Sequence, residues 1–297
     1  MGIAAAGRFR WAAHCAACAA AAMSATDAAA LAAELREAHL DWIVPDWPAP
    51  PKVCAVATTR TGGVSRGAYS TMNLARGGRD DPAALAENRR RLERFLPAPP
   101  VPLAQVHGAA VAILDRATTA SPTADAAVTR ERGVVCAVLT ADCMPVVITD
   151  RGGTAVGIAH AGWRGLAAGV LEATIDALAR LGADRSDLLA WLGPAIGPAA
   201  FEVGTDVHVA FCDEDPGAAA FFVAGRRPGK WYADLYALAR RRLAGTGIAS
   251  IHGGGECTYT DIDRFFSYRR ERDSGRMATA VWLAEPEGAG SRTHTSV

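Results

Sequence analysis

Three side chains in this 297-residue chain stand out as groups that can hold a metal ion: His107, Cys143 and His160. Each sits where an apolar β-like run stops and a tight turn begins. The local strings are Gln105-Val106-His107-Gly108, Ala141-Asp142-Cys143-Met144-Pro145 and Ala159-His160-Ala161-Gly162. The flanking Gly, Pro and Asp residues permit close approach of backbones. Two imidazoles and a thiolate make a sound coordination set for Zn²⁺, and three protein ligands leave a fourth position open, the catalytic rather than the structural pattern. An ion there would keep Cys143 deprotonated and lower the pKa of a water at the open corner. Spacing alone carries little. Three residues separated by tens of positions are no motif, and a buried free cysteine with two satisfied core histidines is the plainer local reading.

The elements that must position these residues follow from periodicity and turn chemistry. A short helix is expected over 27–39, with Asp27 as cap and Leu31 and Leu35 on its inner face. Residues 42–51 read as an extended, Pro-rich lead-in, 53–59 as a strand, and Arg60-Thr61-Gly62-Gly63 as a turn. Asp81-Pro82 opens a second helix with Leu85, Leu92 and Phe95 in period. Strands are expected at 101–106 and 111–114 around His107, at 134–140 and 146–149 around Cys143, and at 154–160 up to His160. Asp150-Arg151-Gly152-Gly153 reads as a hairpin turn. One long helix is expected over 165–181, with Leu166, Val170, Ile175 and Leu178 inward, then a strand at 188–192, helices at 205–211 and 232–244, and a last strand at 277–283. Strands and helices mix without a regular βαβ repeat. The expected class is α+β, with mixed or antiparallel sheets layered between helices.

Composition narrows the function classes. Half the residues are apolar and 21% are charged, as in a folded globular protein. Lys+Arg and Asp+Glu are both 31, so neither nucleic acid nor an anionic membrane is an expected partner. No apolar run approaches the roughly 20 residues that span a bilayer. Seven scattered cysteines do not form a disulfide framework, and a reducing, cytoplasmic setting is the simpler assumption. Residues 1–38 are expected to be a poorly ordered Ala-rich extension, 39–285 a single catalytic domain, and 286–297 a loose tail. The extension superficially resembles a signal peptide, but Ala is a weak choice for its apolar stretch and His14 interrupts it. Its Cys15-x-x-Cys18 spacing has no second pair beside it.

Several strings taken together are similar to the YfiH-like family: Thr58-Thr59-Arg60-Thr61-Gly62-Gly63-Val64-Ser65, Met72-Asn73-Leu74, the three strings above, Gly162-Trp163-Arg164-Gly165, Leu192-Gly193-Pro194-Ala195-Ile196-Gly197 and Phe266-Ser267-Tyr268-Arg269-Arg270. They run in matching order from about Trp42 to Leu283. That family has carried the description polyphenol oxidase or laccase-domain protein and is now described as purine nucleoside phosphorylases. The resemblance implies zinc on His107, Cys143 and His160, phosphorolysis of adenosine, inosine and methylthioadenosine, and adenosine deamination. It also implies sheets layered between helices, as in a bacterial toxin cysteine hydrolase.

For such chemistry Arg164, in the turn before the long helix, would bind phosphate together with free backbone N–H groups at the helix start. Arg60 would add a second phosphate contact and Asn73 an amide for sugar or base. Asp142 would accept a hydrogen bond from a ligand histidine or carry a proton. Cys257-Thr258 and Arg269-Arg270 are candidates through the likeness alone, and Trp163 is either a base-stacking surface or core. The H-x-E and P-C-x-x-C pattern of zinc deaminases is absent, so any deamination would use another arrangement. Three rivals remain. A copper polyphenol oxidase shares the His₂Cys set, with Met144 as a doubtful axial ligand, but seven histidines are too few for a multicopper cluster. A hydrolase editing peptidoglycan precursors would use Cys143 as nucleophile or a zinc centre. The third is a non-catalytic module stabilised by its metal.

Overall fold

Strands buried on both faces read as unbroken apolar runs, and in this chain each strand hands alternate side chains to two different cores. The computed structural model describes residues 27–285. The Cys15-x-x-Cys18 pair, the signal-like stretch and the tail from 286 lie outside the described residues.

One three-stranded antiparallel sheet has the order β1 (Val53–Ala57), β12 (Met277–Leu283), β4 (Cys136–Thr140). A six-stranded mixed sheet runs β11 (Ser250–Gly253), β7 (Leu188–Leu192), β5 (Met144–Asp150), β6 (Val156–Ala161), β3 (Ala126–Thr129), β2 (Val111–Ile113). Its two outer pairs are parallel and the rest antiparallel. Val53, Ala55, Val138 and Val281 meet Val147, Ile158 and Trp191 between the two sheets. On the far side of the small sheet, Cys54, Val56, Ala280 and Trp282 pack on Leu31 and Leu35 of α1 (Ala28–Glu37) and Leu92 of α2 (Pro82–Glu93). On the far side of the large sheet, Val146, Ile148, Ala159 and Ala190 pack on α3 (Trp163–Ala167), α4 (Val170–Arg180), α5 (Thr205–Cys212) and α6 (Leu235–Gly245). The result is helix, sheet, sheet, helix: an α+β fold of the expected layered type. A third small sheet, β8 (Glu202–Gly204), β10 (Lys230–Ala233) and β9 (Phe222–Ala224), flanks α5.

The structure departs from the sequence-based expectations at four places. The helix expected over 27–39 forms as α1, capped by the Asp27 carboxylate on Ala30 N–H at 2.8 Å, and because it buries Leu31 and Leu35 against the core, residues 27–38 of the expected extension belong to the fold. The long helix expected at 165–181 is two helices, because Gly169 takes φ +85° and breaks the ladder between them. No strand forms at 101–106. Val101 makes one isolated bridge, Pro102 has no N–H to give, and Val106 N–H goes to a side chain instead. The helix expected from 232 starts at Leu235, after β10, with Asp234 accepting from Ala237 N–H. The expected hairpin turn is present: Gly153 N–H reaches Asp150 C=O at 2.8 Å. Among the described residues, no helix is long and apolar enough to cross a membrane.

Candidate metal centre and its cleft

The antiparallel pairing of β5 and β6 places Pro145 opposite His160 and Met144 opposite Ala161, so Cys143 and His160 emerge at the same end of one hairpin. His107 arrives from a loop rather than a strand end. Gln105 guides it there, its amide bonding Leu139 N–H and C=O of β4 at 2.8 and 3.0 Å as a strand residue would. The ligand atoms of His107, Cys143 and His160 lie within 4.8 Å of one another, with Cys143 Sγ 3.9 Å from His107 Nδ1. The imidazole planes are tilted by 59° at 4.8 Å between centroids, so the rings converge rather than stack. No other such group of three occurs among the described residues. Gly162 is required by this closeness: a Cβ there would stand 2.7 Å from Cys143 Sγ and 3.1 Å from His107 Nδ1.

The carboxylate that orients the group is Asp125, which the sequence analysis missed. It is fully buried. It lies 2.9 Å from His160 Nδ1 and accepts the backbone N–H groups of Val106, His107 and Gly108 at 3.1, 2.9 and 2.7 Å. Its bond to Nδ1 leaves Nε2 of His160 for the centre and fixes the tautomer. Burial pushes the Asp125 carboxyl up, but these four bonds outweigh it and the net shift is down. Burial also opposes the charged forms of Cys143 and His160. Hydrogen bonds from the two imidazoles nevertheless hold the Cys143 thiol down at about 6, and Asp125 with the thiolate raises His160 to about 9. A thiol held toward its thiolate, two converging imidazoles and a carboxylate behind one of them fit a divalent ion with an open corner.

One candidate ligand and the neighbour of another carry unusual backbone. His107 has φ +60° and Asp142, next to Cys143, φ +83°. Such strain persists only where the surroundings over-determine it. Asp142 is pinned by Thr258 Oγ1 and Arg269 N–H, both 2.6 Å from its carboxylate, while its C=O accepts from Ile196 N–H at 3.0 Å. It is therefore bonded to the loops around the turn and not to a ligand histidine.

The centre opens into a cleft of about 1090 Å³ lined by five arginines, Arg76, Arg164, Arg269, Arg272 and Arg276, against two aspartates, Asp142 and Asp273. Trp163, Phe201, Tyr69 and Tyr268 add aromatic faces. Arg164 stacks on Trp163 with its guanidinium 4.4 Å from the ring centroid. It lies inside the five-residue α3, so the expected start of a long helix is not at its side. Arg60 and Asn73 do not line the cleft. Arg60 bonds Ser70 C=O and Ile262 C=O and covers Phe266, and Asn73 is fully buried with Asp80, Ala75 N–H and Arg276 N–H as partners. Arg270 is likewise spent on the carbonyls of Thr258, Tyr259 and Phe265, and Cys257 Sγ accepts Gly197 N–H at 3.2 Å away from the cleft.

Fold and site together define a layered α+β protein whose His–Cys–His group can hold a metal ion beside a basic, aromatic-lined cleft. A family model described as "Multi-copper polyphenol oxidoreductase laccase" matches residues 54–284. The chain belongs to that family, the YfiH family. It is 50% identical over 244 residues to a protein of Pseudomonas aeruginosa named purine nucleoside phosphorylase, covering 82% of this chain and 99% of that one. It is also 50% identical over 243 residues to purine nucleoside phosphorylase YfiH of Escherichia coli, covering 81% and 98%. A crystal structure of a Neisseria meningitidis protein superposes with a TM-score of 0.79 at 47% identity, over 82% of this chain and all of that one. YlmD from Geobacillus stearothermophilus superposes with 0.73 at 32%, over 79% and 93%.

Proposed function

We propose that the protein is a zinc-dependent purine nucleoside phosphorylase that converts adenosine, inosine or methylthioadenosine and phosphate to the free base and the ribose 1-phosphate, and that it also deaminates adenosine. The reading is carried by one observation: the metal-binding group and an arginine-rich, aromatic-lined cleft are the same site. The names of relatives 50% identical over nearly their whole length support it. In phosphorolysis a phosphate oxygen bonds to C1′ while the C1′–N9 bond breaks, and the purine leaves with that electron pair and takes up a proton. Arg164 would hold the phosphate oxygens by paired N–H donors. Trp163, Phe201 and Tyr268 offer faces for the purine. Asp125 keeps the His160 ring and the His107 loop in place, and Asp142 holds the Cys143 turn. A zinc ion, when bound to His107, Cys143 and His160, supplies a Lewis acid with a free position.

The family's laccase description favours copper and phenol oxidation as a second reading. His39, His208 and His252 stand outside the three-residue group, so among the described residues no further histidine joins it to build a multicopper cluster. The test is adenine release from adenosine, followed with and without phosphate on protein of known metal content, beside a phenol-oxidation assay. Phosphate-dependent adenine release that is abolished in His107→Ala, Cys143→Ala and His160→Ala supports the reading. Full activity in these variants overturns it.

A further inference from the structure

One aromatic ring stands half in solvent inside the cleft, on a turn whose other residues are locked. Tyr268 lines the cleft and is 48% exposed, while Phe265, Phe266 and Ser267 before it are fully buried. The turn is closed from within. Glu271 N–H donates to Ser267 C=O at 2.9 Å and Arg270 N–H to Ser267 Oγ at 3.2 Å. The Arg270 side chain donates to the carbonyls of Thr258, Tyr259 and Phe265 at 2.8, 2.8 and 2.7 Å. Directly after Tyr268, Arg269 N–H donates to the Asp142 carboxylate at 2.6 Å. Tyr268 therefore stands one residue from the bond that pins the Cys143 turn.

The ring is backed as well as held. A Cβ on Gly275 would stand 2.7 Å from the Phe266 ring, so the segment 274–276 lies hard against the Tyr268 turn. From that segment Arg276 donates to Ser274 C=O and Gly275 C=O at 2.9 and 3.0 Å, and its guanidinium lies over the Tyr268 ring, 5.6 Å from the centroid. No other ring pairs with Tyr268 among the described residues. The other aromatic side chains of the cleft are already committed. Arg164 covers a face of Trp163, Phe201 is 7% exposed with Arg269 over it, and the Tyr69 hydroxyl donates to Asp273. A half-exposed tyrosine on an open surface is ordinary. An immobilised one in a concave site offers a planar ligand a preset face at little ordering cost.

We propose that Tyr268, backed by Arg276, is the platform on which the purine base of the substrate stacks. The proposal rests on the phosphorylase reading and narrows its aromatic faces to one. A ring face recognises any planar heteroaromatic base, whatever groups its edge carries, so adenine and hypoxanthine are held alike.

Equilibrium binding of the product bases tests it without turnover. Calorimetric titration of the zinc-loaded protein with adenine, hypoxanthine and inorganic phosphate is compared for wild type, Tyr268→Ala, Tyr268→Phe and Tyr259→Ala. The last removes an exposed tyrosine that does not line the cleft. Tyr268→Ala is expected to weaken both bases about tenfold, with phosphate binding, zinc affinity and far-ultraviolet circular dichroism kept. Tyr268→Phe and Tyr259→Ala should bind both bases like wild type. Wild-type affinity for the bases in Tyr268→Ala, an equal loss in Tyr268→Phe, or no base binding by the wild type overturns the platform. The expected binding losses without adenine release from adenosine and phosphate would support the platform and sink the phosphorylase reading alone.

Discussion

A single buried carboxylate ties the two histidines of the centre together, one through its ring and one through its backbone. Asp125 holds His160 Nδ1 directly and the His107 loop by three N–H groups. Asp125→Ala is therefore expected to weaken zinc binding by about 10–100-fold, measured by competition with a chromophoric chelator. Unchanged affinity in a folded variant would contradict this role. Cys143 gives a second expectation at the same scale. Its thiol is held at about 6, so in metal-free protein alkylation should rise as pH passes upward through that value and then level off. Burial raises Cys54 to about 12 and raises Cys136 as well, so neither should react at neutral pH. Peptide mass spectrometry reads the site, and one equivalent of Zn²⁺ should protect Cys143. The three side chains of the candidate centre were legible in the sequence through the family's strings, since their place at the ends of apolar runs alone left a buried cysteine and two core histidines as the plainer reading. Asp125 was not, because it sits in a polar stretch before a four-residue strand, where a carboxylate reads as an ordinary turn residue.

Short elements and close glycine contacts set the precision of the site. The β5–β6 hairpin and its turn could be read from β-branched runs and the Asp-Arg-Gly-Gly string. The α3–α4 break could not, because Leu166, Val170, Ile175 and Leu178 keep helical period across Gly169. Strands of three or four residues, such as β3, β8 and β11, have too few residues for periodicity to mark. Gly162→Ala is expected to displace Cys143 Sγ and His107, since its Cβ would fall 2.7 Å from the sulfur. Zinc affinity should drop while the far-ultraviolet circular dichroism stays native. A variant that binds zinc like wild type would show that the turn has slack. Gly169→Ala must force a residue with a side chain into φ +85°, and a loss of about 1–2 kcal/mol in urea unfolding is expected, with zinc affinity kept.

Across the molecule, two sheets face each other and helices close both outer sides, and the centre forms where the end of β6, the turn into β5 and the His107 loop meet. Unbroken apolar runs along β1, β5, β7 and β12 foreshadowed strands buried on both faces, but which strands pair depends on contacts far apart in sequence that no local pattern encodes. Trp282 is fully buried on the outer face of the small sheet, and Trp282→Ala is expected to cost about 3–5 kcal/mol in chemical unfolding. The central claim, that the three ligands and the basic cleft act as one catalytic site, is tested most directly by adenine release from adenosine and phosphate as metal-free protein is titrated with zinc. The account predicts activity that rises to a plateau at one ion per chain and vanishes without phosphate. Activity that ignores zinc, or adenine formed at the same rate without phosphate, would contradict it.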